Sequence, residues 1–331
     1  MKKLLTILLS LMMVVSMTAC GSSNTAESSD DVIKIGVMQF GEFTALQNCY
    51  DGFVQGLEEA GYKDGENIKI NYLSAAADTA NCPTIADTLI NDGSDLIFAI
   101  ATPSVSCIKE KTTDIPVLFS AVTDPVASGL IEDINAPGGN ISGTSDMNPV
   151  AEQIDLLKEL IPDAQKVAVL YCSSESNSAA QYDLAKAQIE KLGLECVQKT
   201  ISTIDEAKSA IESLKGAADA IYIPTDNTLA DSMTLVAQAA NENGLPVVVG
   251  EPGMCEAGGT ATYGIDYVEL GKQTAAMAVK ILESENPLET VAAMPVVYQT
   301  KECMTAINQA SIDALGLKVP QSILDRATVY K

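Results

Sequence analysis

Short apolar runs alternate with longer stretches of helical spacing along most of the chain. Residues 32–38 (Val-Ile-Lys-Ile-Gly-Val-Met) predict a strand, and residues 44–60 a helix with apolar Leu46, Phe53, Val54 and Leu57 on one side and Gly61 as its stop. Strands follow at 68–73, 96–100 and 117–120, with helices at 84–91 and from Ser104 between them. The second half has the same grammar. Helices are predicted at 149–161, 178–192, 204–214 (Thr203 as N-cap) and 228–243, and strands at 167–171, 194–199, 220–223 and 247–249. Runs such as Leu96-Ile97-Phe98-Ala99-Ile100 are apolar at every position, the mark of parallel strands covered on both faces. Strand–helix–strand repetition of this kind predicts a doubly wound α/β architecture.

A weak internal repeat divides that architecture in two. Asp95 opens a strand that leads through Ala101-Thr102-Pro103-Ser104 into a helix and then to Pro116-Val117. Asp219 opens another that leads through Pro224-Thr225-Asp226 into a helix and then to Pro246-Val247. Two similar parallel-sheet lobes in tandem are expected, with a cleft where the C-terminal strand ends face each other.

Composition removes several kinds of chemistry. With 20 Lys+Arg against 44 Asp+Glu, the formal net charge is -24, the wrong sign for neutralising nucleic-acid phosphates or adsorbing on anionic lipid. There is no His, and Arg326 is the only arginine. Ser-His-Asp and Cys-His catalysis, His-ligated zinc and bidentate Arg clamps are therefore excluded. No GxGxxG or GxxxxGK[ST] stretch is present. The favoured class is a protein that binds a small molecule without transforming it, with no cofactor, no metal and no catalytic residue.

The chain starts with Lys2 and Lys3, an apolar stretch to Val15, then Met17-Thr18-Ala19-Cys20. Residues 1–19 read as a secretory signal too short for an ordinary membrane span. Residues 20–31, rich in Ser and other small polar residues, read as a flexible tether. The remaining cysteines are Cys49, Cys82, Cys107, Cys172, Cys196, Cys255 and Cys303, with no CxxC. Six of the seven could pair in an exported protein, or all could be small buried apolar residues.

Candidate ligand-binding residues lie in the loops that follow predicted strands. On the first lobe they are Phe40, Glu42, Phe43, Thr102, Ser104, Thr123, Asp124, Ser145 and Asp146; on the second, Ser173, Asn177, Ser178, Thr225, Asp226 and Asn227; Asp266 stands in the later loop Gly264-Ile265-Asp266-Tyr267. Hydroxyls beside helix N-termini suit a carboxylate, and aspartates suit an ammonium. Phe40 and Phe43 straddle a glycine in a loop, which suits pocket walls better than core. Each polar residue has a plainer reading as a helix cap or turn, Thr123-Asp124-Pro125 among them.

Several separated stretches resemble one family. They are the Cys20 lipobox, Ile35–Phe40, Gly52–Tyr62, Ala99–Pro103, Ala121–Pro125, Pro137–Asp146, Ile223–Asn227 and Gly264–Gly271. This ordered set is similar to the substrate-binding lipoproteins of ABC importers, in the branch with tryptophan- and tyrosine-binding members. The resemblance implies a type I periplasmic-binding-protein fold, with two doubly wound parallel-sheet lobes joined by a three-crossover hinge. Lobe 1 would hold residues 32–146 and 255–288, and lobe 2 residues 147–254 and 289–331. The helix at 269–282 would belong to lobe 1, and a helix at 302–315 would pack on lobe 2. The resemblance further implies a monomer lipidated at Cys20, anchored on the extracytoplasmic face of a bacterial membrane, that delivers an amino acid, expected to be aromatic, to permease transmembrane subunits. The loop Gly41-Glu42-Phe43 departs from the Glu-His common in the family, and Cys172 stands where Asn is common. Alternatives at this point are a sensing receptor of the same fold, a different small solute such as a sugar or nucleoside, a secreted carboxylate-dependent enzyme, and an added adhesin role.

Overall fold

The computed structural model describes residues 32–299 and 302–331. The expected signal segment, tether and Cys20 lie outside them. Two sheets, of six and seven strands, organise the described residues.

The six-stranded sheet is parallel throughout, in the order β11-β5-β4-β3-β1-β2. Its strands are β1 (Ile33–Gln39), β2 (Ile68–Ser74), β3 (Leu96–Ile100), β4 (Val117–Val122), β5 (Ile141–Ser145) and β11 (Val297–Tyr298). Helices α1 (Thr44–Glu59), α2 (Cys82–Asn91) and α3 (Thr102–Lys109) connect the first four strands. β3 and β4 are buried at every position, as their unbroken apolar pattern requires.

The seven-stranded sheet has the order β13-β12-β10-β9-β8-β6-β7. Its strands are β6 (Lys166–Cys172), β7 (Glu195–Ile201), β8 (Ala220–Ile223), β9 (Val247–Val249), β10 (Ala261–Gly264), β12 (Met304–Asn308) and β13 (Ala327–Tyr330). The helices on this sheet are α4 (Val150–Leu160), α5 (Ser176–Lys191), α6 (Ala207–Glu212), α7 (Asn227–Asp231), α8 (Met233–Glu242) and α9 (Pro252–Glu256). Successive side chains feed opposite cores: Val167, Val169 and Tyr171 pack on one face, Ala168, Leu170 and Cys172 on the other.

The internal repeat has a structural cause. Asp95 Oδ2 accepts the backbone N–H of Lys34 at 2.8 Å, tying the start of β3 to β1. Asp219 Oδ2 accepts the N–H groups of Gln165 and Lys166, both at 2.8 Å, tying β8 to β6.

The chain crosses between the sheets three times. It leaves β5 through residues 146–149 into α4, and returns from β10 through Ile265 and Asp266 into α10 (Tyr267–Leu282), which packs on α1. After α11 (Pro287–Ala292) and β11 it crosses again ahead of β12. The second and third crossings fall later than the expected lobe boundaries. β10 pairs with β9 and β12, so residues 261–264 belong to the seven-stranded sheet. β11 pairs with β5, so residues 297–298 belong to the six-stranded one.

Two strands depart from the sequence reading. Met304–Asn308 is a strand antiparallel to β10, not the first half of a helix. The helix α12 (Gln309–Leu315) starts only after Asn308, whose side chain accepts the Ser311 N–H. β5, read as a loop, is buried throughout although four of its five residues are Ser, Gly or Thr. Its hydroxyls are satisfied internally: Ser142 Oγ donates to the Met294 carbonyl at 2.7 Å and Thr144 Oγ1 lies 2.8 Å from Thr274 Oγ1. A Cβ on Gly143 would run into the Phe119 backbone.

All seven described cysteines are free thiols. Non-glycine residues with positive φ are Ala76 (53°), Ala77 (57°), Ala101 (77°) and Ala121 (55°), all at the C-terminal strand ends of the six-stranded lobe.

Candidate functional site

The C-terminal ends of β1, β3 and β4 face those of β6, β8 and β9 across a cleft. Its inner part is a cavity of about 20 Å³ with both lobes in its walls, on a measure by which one water needs roughly 10–15 Å³. Phe43, Thr123 and Asp146 line it from one lobe, and Asn177, Asp226 and Glu251 from the other. The outer part is a groove of about 690 Å³ that shares Asn177 with the cavity and is bordered by Phe40, Thr102 and Glu175.

The seven-stranded lobe presents buried carboxylates at helix starts. Asp226 is 0% exposed and caps α7: Oδ1 accepts the Leu229 N–H at 3.0 Å, and Oδ2 accepts the Cys172 N–H and the Ser178 hydroxyl, both at 2.7 Å. Glu175 holds the same helix start, with Oε2 accepting the Asn227 N–H at 2.8 Å and Oε1 the Thr228 N–H at 2.8 Å. Burial, and then the nearby Glu175, push the Asp226 carboxyl well above the usual carboxylate range. Glu251 caps α9, accepting the Gly253 and Met254 N–H groups, both at 2.6 Å. Burial raises it to about 7 against those two hydrogen bonds.

Asn177 is oriented by its acceptors. Its Nδ2 donates to the Thr225 carbonyl at 2.8 Å and to Glu175 Oε2 at 3.1 Å. That fixes the amide and leaves Oδ1 buried with no protein partner. Thr225 Oγ1 accepts from Gln181 Nε2 at 2.6 Å and lies 3.2 Å from Thr123 Oγ1, which bridges the two lobes. A second bridge, from Ser176 Oγ to Ser128 Oγ at 3.0 Å, lies at the cleft edge.

The six-stranded lobe contributes Asp146, where the chain first crosses. Its Oδ1 accepts the Thr123 hydroxyl at 3.1 Å and its Oδ2 the Tyr267 hydroxyl at 2.8 Å; burial raises its pKa in spite of both. At the start of α3, Thr102 Oγ1 and Ser104 Oγ are buried without a protein partner. Among the described residues no lysine or arginine lines the cavity.

Of the sequence candidates, Phe43, Thr123, Asp146, Asn177, Thr225, Asp226 and Asn227 come together at the cavity, and Phe40 and Thr102 border the groove. Ser104 is fully buried and lines neither the cavity nor the groove, and Ser178 serves Asp226. The rest stand elsewhere for clear reasons. Asp124 Oδ1 accepts the Val126 and Ala127 N–H groups of its own turn. Ser145 Oγ donates to the Thr123 carbonyl, and Ser173 Oγ to that of Ile201. Asp266 is exposed and caps α10 through the Val268 and Glu269 N–H groups. Glu42 is exposed and borders neither the cavity nor the groove. Sequence reasoning missed Glu251, Tyr267, Glu175 and Met254. Glu251 carried a usable signal, an acidic residue between a strand and a helix, as at Asp226, here with Pro252 at the first helical position.

Comparison with known proteins agrees with this geometry. A tyrosine-binding protein of Clostridioides difficile (strain R20291) is 38% identical over 326 residues, 96% of this chain and 93% of that protein. An ABC domain from Streptococcus pneumonia, solved in complex with L-Trp, superposes with a TM-score of 0.84 at 35% identity, covering 90% of this chain and 99% of the other. The ligand-free, open structure of a substrate binding protein with adhesive properties from Clostridium difficile is 42% identical and gives 0.68, covering 91% and 100%. Structures below 25% identity share the fold alone, that of type I periplasmic binding proteins. Residues 34–331 match the profile of the family described as ABC transporter substrate binding protein. Two parallel-sheet lobes around a polar cleft, and a match over nearly the whole described chain, make this protein a member of the ABC transporter substrate-binding family, whose members bind solutes and are not enzymes.

Proposed function

We propose that this protein is a lipid-anchored extracytoplasmic receptor that captures an aromatic amino acid between its lobes and hands it to an ABC permease. The observation that carries the reading is the cavity itself. Asp146, Asp226 and Glu251 line it, the unpartnered Oδ1 of Asn177 adds a fixed acceptor, and no cationic side chain answers them. A ligand ammonium fits that wall. Its carboxylate goes to the start of α3, where the positive helix end and the unpartnered hydroxyl of Thr102, which borders the groove, replace a guanidinium. The aromatic side chain runs along Phe43 toward Phe40 and the groove.

A cavity with room for about one water admits such a ligand only when the lobes part. The superpositions support this hinge motion. The L-Trp complex matches better than the ligand-free open structure, although the open one is closer in sequence. The arrangement described here is thus the closed one, and ligand stabilises it by its greater affinity for it.

Calorimetry on the protein without residues 1–19 tests the reading. L-tyrosine or L-tryptophan should bind, while tyramine, lacking the carboxylate, and 3-phenylpropionate, lacking the amine, should each lose roughly 10- to 100-fold or more. Binding of both truncated compounds as tightly as the amino acids would remove the zwitterion from the account. Acylation at Cys20 predicts incorporation of a labelled fatty acid that the Cys20→Ser protein loses, together with its membrane fraction.

A further inference from the structure

The ligand read above brings one positive charge into a cavity whose walls carry three carboxylates. Asp146 comes from the end of β5 and Glu251 from the start of α9, so the two stand on opposite lobes. They are 3% and 2% exposed. The titratable groups that face this pair are Cys49 of α1, Cys255 and Glu256 of α9, Tyr267 of α10 and Tyr330 of β13. Every one is a thiol, a phenol or a carboxyl; none is a cation. Asp226, beside Glu175, makes the same demand from the far wall. One ammonium, held by Asn177 Oδ1 and a single carboxylate, leaves negative charge uncompensated where water is excluded, and such a site relieves itself by taking a proton.

We propose that closing the lobes on an ammonium-bearing ligand draws one proton from solvent onto the Asp146–Glu251 pair, so that capture is tighter in mildly acidic than in alkaline medium. The proposal rests on the ligand reading above. With the lobes parted, both carboxylates meet water and are ionised above the ordinary carboxylate range. On closure a buffer acid gives up a proton, an O–H bond forms on one carboxylate oxygen of the pair, and the buffer base stays in solution. The closed pair holds protons more tightly than the parted pair: burial first, with Asp146 and Glu256 nearby, lifts Glu251 to about 7 against its two backbone hydrogen bonds. Affinity therefore falls as pH rises from the ordinary glutamate value, about 4.3, toward 7, by up to tenfold per pH unit, and levels off above.

Calorimetry of L-tyrosine and L-tryptophan binding at pH 6, in phosphate and in imidazole, reads the proton from the difference in heats. About one proton taken up per ligand is expected for the wild type, and much less for Glu251→Gln or, should that variant not fold, Asp146→Asn. Equal heats in the two buffers for the wild type would overturn the proposal. If neither amino acid binds, the ligand reading fails, and small-angle scattering of the protein alone decides the proton. A smaller radius of gyration at pH 5.5 than at 8.5, lost in Glu251→Gln, supports it, and a radius independent of pH overturns it.

Discussion

Asp226 carries three hydrogen bonds from its own lobe and still borders the cavity. Its replacement by alanine therefore removes a helix cap and strands the Cys172 N–H and the Ser178 hydroxyl. We expect a loss of about 2–4 kcal/mol in denaturant unfolding together with weaker ligand binding. Asp266→Ala, at an exposed cap, should cost about 1 kcal/mol and leave affinity unchanged in calorimetry. The contrast shows why the sequence ranked these two aspartates alike. Both precede a helix, and the residues that cap a helix are the residues that bind an ammonium. Only burial and the direction of the cleft separate the roles. Tyr267 was beyond local pattern altogether, since it reaches Asp146 from a helix 121 positions further along the chain.

At the scale of elements, α1 and α10 approach through glycines. A Cβ on Gly52 would meet the Val268 carbonyl oxygen, and one on Gly271 the Cys49 carbonyl oxygen. Gly52→Ala or Gly271→Ala should each destabilise the protein by about 1–3 kcal/mol, read as a lowered Tm. This packing returns the chain to the six-stranded lobe, so the same variants should also disturb Tyr267 at the head of α10. Most elements were legible because their apolar spacing settles the question: β3 and β8 have the predicted bounds, and α1 and α4 match within a residue at each end. β5 was not, because Ser142, Gly143, Thr144 and Ser145 carry no hydrophobic signal and are buried through hydrogen bonds and close backbone contact. β12 was misread because a short apolar run leading into a helix fits a buried strand and a helical turn equally well.

For the molecule as a whole, closure is a contact between lobes that few atoms make directly. Ser128 and Ser176 meet at the cleft edge at 3.0 Å. The double substitution Ser128→Cys, Ser176→Cys should oxidise to a crosslink that slows ligand exchange in stopped-flow fluorescence or dialysis, with normal exchange restored by reductant. Unchanged exchange in the crosslinked protein would show that ligand does not depend on the lobes parting. The two halves of the cleft also differ in kind. Ala76, Ala77, Ala101 and Ala121 adopt left-handed backbone on the six-stranded side, at a cost of roughly 1 kcal/mol or more each, and among the described residues no non-glycine residue does so on the other. Such conformations persist only where surroundings dictate them, so that rim keeps its form whether or not a guest is there. Recognition then has an order: the incoming molecule is first measured against an unyielding template, and the opposite lobe comes over it afterwards, judging only what the template has accepted.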